Sequence, residues 1–209
     1  MRRVLVYKRF ERFWHWSQAA LVIFMAVTGF EIHGSYSLFG FEKAVSFHRT
    51  AAHLLLGLIA FAVFWHFTTD GWRHYIPTTR NIMAQIKFYM VGMFRGESHP
   101  VARTELSKLN PLQRLVYLGL KIIIIPILVI SGLLYMYYAD LENAVKIIRT
   151  TDLELIALWH TAGAFLMVSF LVVHVYMTTT GRTSLSNIKA MLNGHEEIET
   201  EQITEDQAT

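Results

Sequence analysis

Ten histidines and no cysteine make imidazole the metal-binding side chain this sequence offers in quantity. Two of them, His160 and His174, stand fourteen residues apart in one apolar run, WHTAGAFLMVSFLVVH. A helix turns about 100° per residue, so fourteen steps return the second side chain to within about 40° of the first, roughly 21 Å further along the axis. That separation suits two cofactors stacked across a membrane, one near each surface. An imidazole in lipid is costly without a partner, and axial ligation of haem iron provides one. The missing cysteine excludes disulfides, thiolate-bound iron–sulfur clusters and covalent haem attachment through CxxCH.

The elements that must position these rings are spans. The chain has 209 residues, 53% of them hydrophobic and only 17% charged, with a mean hydropathy of +0.34. That is a membrane composition. Four segments, about 13–31, 49–68, 112–137 and 156–178, reach the roughly 20 apolar residues a span needs. The first is too long for a signal peptide and no small-residue cleavage site precedes Glu31 and His33, so it is expected to be retained.

Charge orients the spans. Fourteen basic residues flank one side: Arg2, Arg3, Lys8, Arg9 and Arg12, then Arg73 to Arg114 in the middle loop, then Arg182 and Lys189. Only Lys43, Arg49, Lys146 and Arg149 flank the other. The positive-inside rule puts both termini and the middle loop in the cytoplasm. The net charge of +3 is thereby explained without nucleic acid.

The expected fold is therefore an all-α integral membrane protein, a bundle of four transmembrane helices occupying residues 1–180. Within the middle loop, RNIMAQIKFYMVGMFR (80–95) repeats Ile82, Ile86, Tyr89/Met90 and Met93 at helical spacing, as an amphipathic helix in the inner interface would. Trp14, Trp16, Trp65, Trp72 and Trp159 fall near span ends, where an aromatic belt places them. Residues 181–209 read as a polar, acidic cytoplasmic tail without fixed structure.

Antiparallel spans allow depth to be read from sequence. His15 and His174 fall near the inner surface, His53 and His160 near the outer. Each level draws two ligands from different helices, as a haem held in a bundle core requires. Alternatives stay open. His48 is an alternative outer ligand, about 140° around the helix from His53, and His66 could replace His15. His33, His74, His99 and His195 fall in loops or the tail. Gly57, Gly163 and Gly29 lie on the same faces as the chosen histidines, where a porphyrin needs gaps, although small residues also serve ordinary helix packing. Lys121, one to two turns into the third span, could snorkel to the inner interface or pair with a haem propionate.

These pieces resemble the two-haem cytochrome b subunits that anchor periplasmic oxidoreductases. Formate dehydrogenase gamma subunits, nickel–iron hydrogenase and thiosulfate reductase-type cytochrome b subunits and other prokaryotic cytochrome b561-like proteins belong to that group. RFWHWSQAALVIFMAVTGF, HLLLG, NPLQRLVY and H-x13-H followed by Val175-Tyr176 carry the likeness across about residues 7–180. The resemblance implies two b-type haems, the inner on His15 and His174 and the outer on His53 and His160. It implies a quinone site, for menaquinone or ubiquinone, at the Asn-x-x-Gln of Asn110 and Gln113, residues that independently read as a helix N-cap. It also implies a bacterial or archaeal cytoplasmic membrane, a periplasmic iron–sulfur or multihaem electron-transfer subunit with a catalytic subunit beyond it, and assembly into a larger complex.

The expected role is electron transfer between that periplasmic partner and the quinone pool. Two other readings compete. A stand-alone cytochrome b561-type oxidoreductase would use the same ligands. A histidine-lined transporter would need carboxylates along the spans, which are nearly absent.

Overall fold

The computed structural model describes residues 2–69, 76, 81–97, 109–145, 150–181 and 183–198. Its fold is all-α, with a single two-stranded sheet among the described residues. Four segments are long and apolar enough to cross a membrane: Arg9–Ile32, Phe41–Thr68, Pro111–Met136 and Asp152–Thr178. They correspond to helices α1 (Arg9–Ile32), α2 (Phe41–Thr68), the pair α4 (Pro111–Gly119) and α5 (Ile125–Met136), and α7 (Thr150–Thr178). Large apolar side chains such as Phe64, Phe67, Ile130, Leu158 and Val172 are exposed along them. Lipid makes such exposure favourable, and a helix satisfies every backbone group it carries there.

Helix α2 begins eight residues before the expected span, and the cause is local. Glu31, buried at the end of α1, accepts the backbone N–H groups of Leu38, Phe39 and Gly40 at 2.7, 2.7 and 2.8 Å on one carboxylate oxygen. Gly40 adopts φ +86°, a conformation that favours glycine, and its carbonyl accepts the N–H of Ala44. The carboxylate gathers the loop and launches α2 from Phe41. His48 therefore lies two turns inside a helix.

The chain packs as two units. One comprises residues 1–18, 58–118 and 174–209; the other comprises 19–57 and 119–173.

In the first unit, α3 (Ile82–Lys87) runs on through a π turn, Phe88–Gly92, and a 3-10 turn, Met93–Arg95. Gln85, Phe88, Tyr89 and Gly92 are buried on it, while Met83, Met90 and Phe94 are exposed. The segment is thus helical over Ile82–Arg95. Helix α4 starts with a capping box: Asn110 Oδ1 accepts the Gln113 N–H at 2.8 Å, and Gln113 Oε1 accepts the Asn110 N–H at 3.1 Å. Reciprocal bonds of this kind satisfy orphan donors at a helix start. Residues after 180, expected to lack fixed structure, hold helix α8 (Ser186–Asn193) and strand β2 (His195–Ile198). Strand β2 pairs antiparallel with β1 (Arg2–Leu5), so both ends of the described chain lie together. Gly194 joins α8 to β2 at φ +86°, and its carbonyl accepts the N–H groups of Val6 and Tyr7. Arg12 and Trp16 of α1 donate to the carbonyls of Leu192 and Met191.

In the second unit, a π turn, Leu120–Ile124, leads into α5. Pro126 lacks the N–H that would close an ordinary helical bond there, a common cause of such a bulge. Lys121 sits on this turn, half-buried. Helix α6 (Tyr138–Val145) follows α5.

Candidate functional site: two facing histidine pairs

Within the first unit, His15 of α1 and His174 of α7 face each other with ring centres 6.1 Å apart and planes at 49°. The Tyr117 hydroxyl lies 3.1 Å from His174 Nδ1. Among the described residues, His15 Nδ1 is buried without a hydrogen-bond partner, as are Trp14 Nε1 and Arg12 Nε in the same turn of α1. His66 donates from Nδ1 to the Ala62 carbonyl at 2.7 Å and meets the Trp14 ring edge-on.

Within the second unit, His48 of α2 and His160 of α7 face each other with ring centres 6.3 Å apart and planes at 78°. Thr28 Oγ1 lies 3.0 Å from His48 Nδ1, and Ser131 Oγ lies 3.1 Å from His160 Nδ1. Both hydroxyl protons are already committed. Thr28 donates to the Phe24 carbonyl at 3.0 Å and Ser131 to that of Ile127 at 2.5 Å. Each oxygen can therefore only accept from the ring, which puts the proton of both imidazoles on Nδ1 and leaves the Nε2 lone pair bare.

That is the condition of a metal-ligating histidine, whose other nitrogen donates to an outer partner. The spacing agrees. Metal–nitrogen bonds of about 2 Å, with about 1 Å more from each nitrogen to its ring centre, set two imidazoles flanking one metal about 6 Å apart. Both pairs match. Among the described residues no three His, Asp or Glu side chains converge on a bare ion. Two imidazoles at that spacing would suit a metal whose other ligands come from a macrocycle such as haem, which supplies four nitrogens of its own.

The structure thus joins His15 with His174, the expected inner pair, and gives His160 the partner His48 in place of the expected His53. His53 is five residues further along α2, about 140° around the helix. It is exposed, donates from Nδ1 to the Arg49 carbonyl at 2.7 Å and accepts the Tyr137 hydroxyl on Nε2 at 3.1 Å. Both its nitrogens are engaged. His33 is exposed near Thr161, His195 bonds within its own turn, and His74 and His99 lie outside the described residues.

The other expected residues separate by contact. Asn110 and Gln113 spend their polar atoms largely on each other, and the Asn110 amide also donates to the Tyr89 hydroxyl at 2.8 Å. A Cβ on Gly29 would stand 3.4 Å from His48 Cε1, so this glycine does serve a ring. Gly163 instead lets α7 approach Ile127 and Leu128, and a Cβ on Gly57 would meet nothing within 4 Å among the described residues. Sequence reasoning missed Thr28, Ser131, Gly132 and Tyr117. The detectable signal was a hydroxyl–glycine dipeptide in each of two apolar spans, Thr28-Gly29 and Ser131-Gly132.

Comparison with known proteins identifies the family. A family model described as prokaryotic cytochrome b561 matches residues 6–194. The chain belongs to that family and is a multi-pass membrane cytochrome of the b type. A relative from Escherichia coli (strain K12), named "Putative cytochrome YdhU", is 30% identical over 200 residues, covering 92% of this chain and 74% of that protein.

Proposed function

We propose that this protein is a di-haem cytochrome b subunit that anchors a respiratory oxidoreductase in the cytoplasmic membrane and passes electrons between a periplasmic partner and the quinone pool. The observation that carries the reading is the pair of facing imidazole sets, with ring centres 6.1 and 6.3 Å apart. His15 and His174 hold one haem. His48 and His160 hold the other, a choice supported by the protons fixed on their Nδ1 atoms. When bound, haem supplies a one-electron couple.

The protein's own residues do the rest. Thr28, Ser131 and Tyr117 orient the rings, and the apolar spans exclude water. The basic flanks support a cytoplasmic side for His15 and His174. Quinone is assigned to the same unit, where Asn110 and Tyr89 form a buried polar link beside Gln113. The periplasmic partner is an iron–sulfur or multihaem subunit, with a catalytic subunit beyond it.

The test is reoxidation of the dithionite-reduced full-length protein by a water-soluble quinone, followed in the visible spectrum. Rapid reoxidation, slowed in Asn110→Ala and Tyr89→Phe, is expected. A reduced spectrum indifferent to quinone would overturn the role in quinone chemistry.

A further inference from the structure

Two helices present the same device to two different histidines. On α1, Thr28 places its hydroxyl oxygen 3.0 Å from His48 Nδ1, and the next residue, Gly29, brings backbone against the same ring, so that a Cβ would meet His48 Cε1 at 3.4 Å. On α5, Ser131 lies 3.1 Å from His160 Nδ1, and a Cβ on Gly132 would meet His160 Cε1 at 3.1 Å. In each case the hydroxyl fixes one nitrogen and the glycine admits the adjacent ring carbon against the helix backbone. Thr28 is fully buried and Ser131 nearly so. Each hydroxyl is locked by its bond to a carbonyl one turn back.

We infer that Thr28-Gly29 and Ser131-Gly132 are paired clamps that set both the ring orientation and the reduction potential at the His48–His160 haem. This inference rests on the assignment of that haem to His48 and His160. An imidazole that donates from Nδ1 to a fixed acceptor is the more basic ligand at Nε2. A more basic ligand favours ferric over ferrous iron and lowers the potential. The same contacts hold the ring planes near perpendicular, at 78°. Crossed planes give a strongly anisotropic low-spin ferric spectrum, so orientation and potential are read by separate methods. Thr28 and Ser131 are positioning residues, since each acts through a ligand.

The experiment is a redox titration of the haem-loaded full-length protein, with electron paramagnetic resonance of the oxidised form, in wild type, Thr28→Val and Ser131→Ala. In each variant one haem is expected to shift toward the ferrous form by up to about tenfold at fixed poise, equivalent to about 59 mV for one electron. The other haem stays in place. The most anisotropic ferric signal moves with the shifted haem. Thr28→Ser, which keeps the hydroxyl and drops the methyl, retains the wild-type potential. Two haems with unchanged potentials in both hydroxyl-free variants would overturn the clamps, and so would an equal shift in Thr28→Ser. Failure of the underlying assignment looks different: His48→Ala would then retain both haems.

Discussion

Gly163 marks the place where the geometry of the second pair is most open to a single methyl group. A Cβ added there would lie 2.9 Å from Ile127 Cγ2 and 3.1 Å from Leu128 Cδ2. Carbon atoms settle at about 3.5–4.0 Å, so Gly163→Ala calls for a separation of about 0.6 Å or more. Leu128 can swing its terminal methyl aside. Ile127 is β-branched and stiff at χ1, so α7 must move from α5. His160 is three residues before Gly163, and its Nδ1 stands 3.1 Å from Ser131 Oγ. Moved by the same amount, that bond opens to about 3.7 Å and is lost. Overpacking of this kind costs about 1–3 kcal/mol, and each kcal/mol lowers the midpoint by about 2–4 °C for a chain of this size. The assay heats purified protein in detergent while the reduced α band is followed. Gly163→Ala should melt several degrees early and release one haem before the other. Gly57→Ala, with open space around its Cβ, should match wild type. If Gly163→Ala is as stable as wild type and keeps the potentials of both haems, the close approach of α5 and α7 at Gly163 does not support His160.

Three further outcomes follow from contacts already described. Asn110→Ala removes the capping box of α4 and the bond to Tyr89, and should destabilise the protein by about 1–2 kcal/mol in chemical denaturation. Gly194→Ala forces a Cβ to within 2.7 Å of the Tyr7 carbonyl at φ +86°; amide exchange at residues 2–5 should rise strongly while the spans stay protected. Tyr117→Phe removes the hydroxyl 3.1 Å from His174 Nδ1; in a redox titration the haem at His15 and His174 should rise in potential by up to about 59 mV, with the other unmoved.

The spans were legible because twenty-residue apolar runs have few alternatives, and three of the four begin and end within about four residues of the expected bounds. The exception explains the histidine assignment. Hydropathy cannot see Glu31 gathering three N–H groups, so it starts the second span at residue 49 and leaves His48 in the mouth. The helix in fact starts at Phe41 through polar Glu42, Lys43 and Ser46, and places His48 about two turns in. His160 and His174 share one apolar run, where helical phase alone puts them on one face, and His15 lies at the start of the first span. Thr28, Ser131 and Tyr117 were illegible for another reason. A hydroxyl in an apolar span usually returns its proton to a carbonyl one turn back, and both Thr28 and Ser131 do so. Their second role depends on which ring stands opposite, and one helix does not record that. The ordered stretch after residue 180 was hidden because its strand pairs with residues nearly 200 positions earlier in the sequence.

The most direct test of the account is the number of haems per chain, by pyridine haemochrome against protein mass, in wild type, His48→Ala and His53→Ala. Two facing imidazole pairs predict two b-type haems in wild type, one in His48→Ala and two in His53→Ala. A wild-type chain holding fewer than two, or a loss in His53→Ala while His48→Ala keeps both, would contradict it.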